Sequence, residues 1–434
     1  MADACEVCCL SLGCGWVCLT AGGFGQVGSR FPGSVLKPNF GPLFSYSNLI
    51  TQQIVSSVAL SPPHPSHTPP HLVLAPVMET TDAPQIIEHI HESVTFTPYE
   101  TRWVPCSAKM AVLGIYPKGT GILKITELQK GKLKTVAEKE TKSGFKCGTF
   151  GASSLDNRSI ATGDFDGNVA IWDLERLDVP AFQVKGHEQI INCIDGCGGL
   201  SIGNGAPELV TGSRDGCVRV WDPRVQEPVV SLEPGEGADG ARDCWTVCFG
   251  NSYNDDERVV CAGYDNGDVK MFDLRTNSIR WETNVGNGVT GLEFDRKDIE
   301  MNKVCVTTLE SKFRIYDVRT QHPEDGFSFM REKAHKATIW HCKHLPQNRD
   351  LFMTCGGNGG LNIYKYSYPS SRSVKDANGI MKGKAGTVEL LNSKVISTQP
   401  IVSFDWSPDK EGLACMACLD QTVRVNIVTK LHLY

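Results

Sequence analysis

The stretch Val-Thr-Gly-Ser-Arg-Asp-Gly-Cys-Val-Arg-Val-Trp-Asp-Pro, residues 210–223, decides the fold class of this 434-residue chain. It predicts two β-strands around a tight turn at Arg214, Asp215 and Gly216, because Val218 and Val220 alternate with a polar residue. The same phrase recurs at residues 161–174 and 261–274. Three copies indicate a repeat and not an isolated hairpin.

Weaker copies extend the repeat along the chain. Each copy ends at one equivalent position, which we call the closing slot, and successive closing slots lie about 40 to 50 residues apart except for a longer last interval. A Gly-His start, as at Gly186-His187, and a Trp-Asp end at this period are typical of a four-stranded propeller blade. The sequence therefore predicts an all-β fold, a seven-bladed WD-repeat β-propeller. The closing slots are Ile125, Trp172, Trp221, Phe272, Tyr316, Tyr364 and Asn426.

Residues 79–434 are predicted to form the propeller, and residues 1–78 a disordered, low-complexity extension. The extension is poor in charge and contains the Pro/His/Ser run at 61–70, so it cannot bury a continuous apolar face. A closed ring leaves no unpaired sheet edge between its first and last segments. We therefore expect the strand-like segment 85–91 to pair beside residues 422–428. The long interval before Asn426 predicts a polar insert between the third and fourth strands of blade six.

The best repeat also contains a set of polar residues that would be costly to bury singly. We expect His187, Ser213, Asp215 and Trp221 to form a buried hydrogen-bonded chain, in which the serine links the imidazole to the indole N–H. A catalytic His–Asp pair is the alternative interpretation. Partial copies along the repeats favour the structural one.

Composition excludes several classes of function. A net charge of -6 without a long basic run argues against a nucleic-acid partner, and no apolar run is long enough to span a bilayer. Eighteen cysteines, most at strand positions, predict reduced thiols and a cytoplasmic location. Cys415 and Cys418 should face opposite sides of a strand, so neither a metal nor a cofactor is expected. No nucleotide-binding loop occurs in the sequence, and we expect a non-enzymatic protein.

Aligning the first strand of each blade on its closing residue predicts a ring of equivalent positions on the top face. Aromatic residues and arginine are typical hot spots of protein interfaces, so this face is a candidate binding surface, although half-buried packing is an equally good interpretation. The ring positions are Tyr99, Lys146, Asn192, Trp245, Thr290, Trp340 and Val402, with Phe165, Arg214, Tyr264 and Leu309 in the surrounding turns.

Several segments outside the repeat motif are distinctive, including Trp-Val-Pro-Cys-Ser-Ala-Lys at 103–109, Lys-Cys-Gly-Thr-Phe-Gly-Ala at 146–152 and Arg-Asp-Cys-Trp-Thr-Val at 242–247. Through these segments the chain resembles the WD-repeat dynein axonemal assembly factors from about residue 80 to the end. The resemblance implies a cytoplasmic adaptor, monomeric within a larger complex that contains the RuvB-like ATPase and prefoldin-like co-chaperone components. Its implied role is the maturation of axonemal dynein heavy chains, and a role in apoptosis is implied as well.

Two other functions remain open at this stage. Trp-Asp-x-Arg-like endings at Arg224, Arg275 and Arg319 resemble the sequence by which substrate receptors of cullin-type ubiquitin ligases dock their adaptor. Tyr99, Trp245 and Trp340 could instead form a cage for methylated lysine, as in histone readers, if their rings converged on one cation.

Overall fold

The computed structural model describes residues 16–19, 82–199, 206–235, 242–250, 254 and 256–434. The disorder predicted for residues 1–78 therefore lies outside the described residues, apart from the backbone of Trp16–Leu19. Within the described chain, no helix combines the length and the apolar character that crossing a membrane requires.

Seven antiparallel sheets of at least four strands and one two-stranded hairpin make up the described structure, and within each large sheet strands that follow one another in the chain lie side by side, except for added edge strands in blades three and seven. This confirms the seven-bladed propeller. Strands form because apolar residues alternate with polar ones between glycine-containing turns such as that at Gly216, where φ is 85° and a side chain would be strained. The strands of the first three blades, from innermost outward, are Thr97–Trp103, Lys109–Ile115, Gly121–Gln129 and Lys132–Thr141; Phe145–Thr149, Ser159–Asp164, Asn168–Asp173 and Phe182–Lys185; and Ile191–Cys197, Glu208–Ser213, Val218–Trp221 and Val230–Pro234.

Blades four to six continue the same order around the ring. The backbone of Trp16–Leu19 pairs with the outermost strand of blade three. The strands of the next three blades are Cys244–Phe249, Val259–Tyr264, Asp268–Asp273 and Ser278–Asn284; Val289–Phe294, Lys303–Thr308, Lys312–His322 and Gly326–Lys333; and Ile339–Leu345, Asn348–Gly356, Gly360–Ser367 and Thr387–Val395.

Blade seven closes the ring with strands from two distant parts of the sequence. Ile401–Trp406, Leu413–Cys418 and Thr422–Thr429 form its inner three strands, and Gln85–Ser93 is the outermost. Gln85 lies opposite Thr429 in antiparallel register, so the predicted closure is confirmed. A 3-10 turn, Leu431–Leu433, follows.

The predicted insert of blade six is present between its third and fourth strands. It contains the short hairpin Ser373–Lys375 and Met381–Gly383. Arg372 forms an ion pair at 2.5 Å with Asp317, a carboxylate of blade five with no exposed side-chain area. The insert is therefore anchored to the neighbouring blade.

The core lies between adjacent blades, where their apolar faces pack. Carboxylates on the innermost strands of blades three, five and seven add a polar link, because each accepts a backbone N–H near the end of the innermost strand of the next blade. A buried N–H without an acceptor would cost stability, so these links fix the spacing of the blades. The pairs are Asp195 with Phe249 at 2.9 Å, Glu293 with His344 at 2.7 Å and Asp405 with Trp103 at 2.9 Å.

Candidate protein-binding face

Every blade has a β-bulge in its innermost strand. At this point the pairing register with the second strand skips one residue, and a bulge of this kind re-aims the side chain of the extra residue. The bulges occur at equivalent places, so the skipped residues form one ring, which we call the bulge ring. Its members are the seven aligned residues of the sequence, Tyr99, Lys146, Asn192, Trp245, Thr290, Trp340 and Val402.

Two polar members of the bulge ring are occupied by contacts to the next blade. The Thr290 hydroxyl donates to the backbone oxygen of Ile339, and the residue is 8% exposed. Asn192 donates through Nδ2 to the backbone oxygen of Cys244 at 3.0 Å. These two residues join blades, whereas the aromatic members Tyr99, Trp245 and Trp340 are only half-buried and keep surface for a partner.

Tyr99 belongs to an aromatic cluster that spans blades one and two. Its ring lies 5.5 Å from that of Phe165, and the Lys146 Nζ lies 4.8 Å from the Tyr99 ring centroid. Burial raises the pKa of the Tyr99 hydroxyl. The tyrosine is thus already contacted by a cation of its own protein. Because the other two aromatics stand on blades four and six, the arrangement does not favour a methyl-lysine cage.

Trp245 and Trp340 are the aromatic members of the bulge ring on blades four and six. A Cβ atom at Gly288 would lie 2.8 Å from Cζ3 of Trp245 and 3.0 Å from Cδ1 of Leu309, so the glycine allows these side chains to approach each other. The Trp340 indole N–H has no hydrogen-bond partner among the described residues. The indole nitrogen is itself buried, so the surface that Trp340 keeps for a partner is the exposed part of its ring.

The two remaining predicted residues differ in exposure. Arg214 is exposed, and its Nε lies 3.5 Å from Oδ2 of Asp243. Tyr264 is 3% exposed and packs in the apolar cluster between blades three and four. Its predicted place on the binding surface is therefore wrong, because the strand Val259–Tyr264 includes this residue and turns its ring inward.

The buried hydrogen-bonded chain is present, but its hydroxyl belongs to a different residue. Thr211 Oγ1 lies 2.8 Å from Nε2 of His187 and 2.8 Å from Nε1 of Trp221. Ser213, predicted for this role, bonds instead to the backbone of Gln189 at 3.4 Å. The register explains the error: Trp221 lies opposite Leu209, so its indole reaches the next residue on that face, which is Thr211.

At the acidic end of this hydrogen-bonded chain, Asp215 contacts His187 as predicted. His187 Nδ1 lies 3.1 Å from Oδ2 of Asp215, which also accepts the backbone N–H of Glu188 at 3.0 Å. Burial lowers the pKa of His187. Burial also opposes ionisation of Asp215, but the hydrogen bonds from His187 and the backbone hold the pKa of this carboxyl well below its usual range. A neutral imidazole beside a carboxylate is thus fixed in a structural position.

Partial versions of the chain occur in other blades. In blade two, Nε1 of Trp172 donates to Thr162 Oγ1 at 3.0 Å. In blade six, Nε2 of His335 lies 2.8 Å from Oγ1 of Thr354, and burial lowers the pKa of His335 to about 4. Their repetition supports a role in holding the strands of a blade together.

The three arginines of the ligase alternative have different surroundings. Arg224 is 74% exposed and donates through Nε to Asp222 at 2.9 Å, within its own turn. Arg275 pairs with Asp273 at 3.7 Å. Arg319 is held between two glutamates and is mostly buried. The first two are accessible to a partner, whereas the third is used inside the propeller.

The described residues include one group of side chains with a metal-like arrangement, Glu293, Cys342 and His344. Glu293 is already used, since its carboxylate contacts Lys343 Nζ at 3.0 Å and accepts the backbone N–H of His344. Burial opposes its ionisation, but Lys343 and His344 lower its pKa to about 2. The lysine supplies the counter-charge that a metal ion would bring. Cys415 and Cys418 lie in different core clusters, as predicted from their spacing.

Comparison with known proteins places the chain among named relatives. The WD domain, G-beta repeat model matches residues 179–222. Over 356 residues the chain is 58% identical to dynein axonemal assembly factor 10 of Bos taurus and of Homo sapiens, covering 82% of this chain and 99% of each relative. The Chlamydomonas reinhardtii protein of the same name is 58% identical over 357 residues, with the same coverage.

Proposed function

This chain belongs to the dynein axonemal assembly factor 10 family, and from that premise we propose that it is a non-enzymatic scaffold for the assembly of axonemal dyneins. In this proposal it acts in the cytoplasm as an adaptor of the RuvB-like ATPase and prefoldin-like co-chaperone assembly. Its clients are dynein heavy chains that have not yet reached the axoneme.

The observation that carries the proposal is the bulge ring. It gathers half-buried aromatic side chains from separate blades at equivalent positions, with Arg214 exposed nearby. Rigid aromatic rings supply contact area at little cost in conformational entropy, and together with arginine they dominate the binding energy of many interfaces. Trp245 and Trp340 are the strongest candidates, since both indoles are large and only half-buried.

The buried polar groups also support a scaffold. His187 and Asp215 are the pair that most resembles an acid–base couple, yet the remaining imidazole nitrogen is bonded to Thr211. A general base must reach the proton that it removes from a substrate. Both nitrogens of His187 are used in holding the blade together, which is the role that we assign to it.

The test is affinity capture of the full chain from ciliated cells, followed by mass spectrometry. The double variant Trp245→Ala and Trp340→Ala should recover at least tenfold less dynein heavy chain and co-chaperone than the wild type, because each removes a central aromatic anchor. Leu390→Ala is the matched control, since it truncates an exposed apolar side chain of the outermost strand of blade six. Equal recovery by the double variant would refute the proposed use of this face.

The ubiquitin-ligase alternative has a separate test. Arg224→Ala with Arg275→Ala removes the two accessible arginines of the Trp-Asp-x-Arg-like endings. A receptor would lose its ligase adaptor in this variant and keep its other partners. The scaffold proposal expects the same proteins to be recovered with and without these arginines.

A further inference from the structure

Blade five pairs like charges across its two outer strands. In their antiparallel register Lys312 lies opposite Lys333, and Arg314 lies opposite Arg331. Residues two apart in a strand share a face, so the four cations lie on one side of the sheet. Like charges directly opposite each other in a ladder are destabilising. The pairing is therefore unfavourable unless an anionic group lies nearby.

Other blades show how the same position is normally balanced. The position of Arg314, two residues before the closing slot, also carries a cation in blades three, four and seven. In each of these blades the cation has a carboxylate partner, which is the expected stabilising arrangement. The pairs are Arg219 with Glu233 at 3.7 Å, Lys270 with Glu282 at 3.7 Å and Arg424 with Glu88 at 2.7 Å.

Neither arginine of blade five has such a partner. Arg314 donates to two neutral oxygens, the backbone of Val285 at 2.8 Å and the hydroxyl of Tyr316 at 3.1 Å, and its guanidinium lies over the Phe329 ring. Arg331 is exposed and forms no hydrogen bond or ion pair with any residue that the structure describes. The positive charges of both side chains are thus uncompensated.

These side chains line a pocket of about 80 Å³ beside the connection from blade four. Lys312 and Glu310, which also line it, neutralise each other through a contact of 2.9 Å. With Arg314 and Arg331 the lining carries a formal charge of +2, in a chain whose net charge is -6. The unpaired positive charges of the two outer strands of blade five therefore lie in the lining of this pocket.

We propose that this pocket binds a phosphate group. A phosphate monoester carries about -1.5 to -2 charges at pH 7, which matches the formal charge of the lining, and guanidinium groups bind its oxygens through paired N–H donors. The group can belong to free phosphate or to a phosphorylated serine or threonine of a bound protein. The proposal does not depend on the function of the bulge ring.

The first experiment measures thermal unfolding of the full chain in sodium phosphate and in sodium chloride of equal ionic strength. Phosphate raises the Tm of most proteins by exclusion from their surface. A variant of the pocket is therefore needed to separate specific binding from this general effect. Arg331→Glu recreates the cation–carboxylate pair of blade four. It should raise the Tm in chloride and lose at least half of the additional rise that phosphate gives to the wild type.

The matched control is Arg176→Glu, which makes the same charge change at an exposed arginine of blade two. It should keep the phosphate response of the wild type. An equal response in wild type, Arg331→Glu and Arg176→Glu would overturn the proposal, because the rise would then come from solvent exclusion alone.

A second experiment identifies the source of the phosphate. Fluorescence anisotropy compares a labelled random peptide pool containing one fixed phosphoserine with the same pool containing serine. If the wild type binds the phosphorylated pool in preference to the serine pool, and Arg331→Glu binds it at least tenfold more weakly, the pocket is assigned to a phosphorylated partner. A phosphate-specific Tm rise without peptide binding assigns it to the free ion.

Discussion

Trp221 of blade three differs in its surroundings from Trp245 of blade four and Trp340 of blade six. Trp221 sits in a regular ladder, is 1% exposed, and donates its indole proton to Thr211. Trp245 and Trp340 are bulge residues on inner strands and are half-buried. The position in the ladder, and not the residue type, therefore decides whether a tryptophan is buried in the propeller core or keeps exposed surface.

The strongest test of this difference is truncation of the interior tryptophan. Trp221→Ala should lower the free energy of unfolding by about 3 to 5 kcal/mol, since it leaves a cavity and removes one of the hydrogen bonds to the Thr211 hydroxyl. Chemical denaturation monitored by circular dichroism would measure the loss. A decrease below about 1 kcal/mol would place Trp221 with the surface tryptophans.

Removal of the Thr211 hydroxyl should give the next largest loss in the free energy of unfolding. Thr211→Val preserves the shape of the side chain but leaves His187 and Trp221 without their shared partner, so we expect a loss of about 1 to 3 kcal/mol. Ser213→Ala is the control and should cost less, because this serine bonds only to the backbone near it. The opposite order in denaturation would restore the serine as the central hydroxyl.

Lowering the pH should reduce the stability of the folded protein, because the buried His335 is held neutral. Its pKa is about 4 in the folded protein, below the value of about 6.5 of an exposed histidine, so the unfolded chain binds the proton more tightly. Stability is therefore retained above pH 6.5 and lost as the pH falls toward 4. This residue alone should cost about 2 kcal/mol between pH 7 and 5. Denaturation of His335→Gln at both pH values should show a correspondingly smaller decrease.

The surface tryptophans should give the smallest effect on folding. Trp245→Ala and Trp340→Ala are each expected to lower the free energy of unfolding by no more than about 1 kcal/mol, because half-buried side chains leave smaller cavities. Thermal unfolding of the double variant beside Trp221→Ala would compare them directly. A loss equal to that of Trp221→Ala would assign these rings to the core.

The repeats predicted much of this structure, because a blade leaves its period in the sequence. The seven closing slots and the position of the blade-six insert follow from spacing, and the closure by residues 85–91 follows from the need of a closed ring to leave no unpaired edge. The errors concern neighbours that spacing does not specify. Thr211 and Ser213 lie on one strand face, and only the register with Trp221 distinguishes them. The opposition of Arg314 and Arg331 likewise depends on the pairing of two strands.

The mixed origin of blade seven has a consequence for biosynthesis. Its sheet needs both Gln85 and Thr429, which meet in one ladder although nearly the whole propeller separates them in the sequence. Bringing such distant segments together is entropically costly and slow. During translation, earlier blades can form as they leave the ribosome, but Gln85–Ser93 must wait as an unpaired strand until the last blade emerges. The ring of blades can therefore close only when the last strand of the propeller has been made.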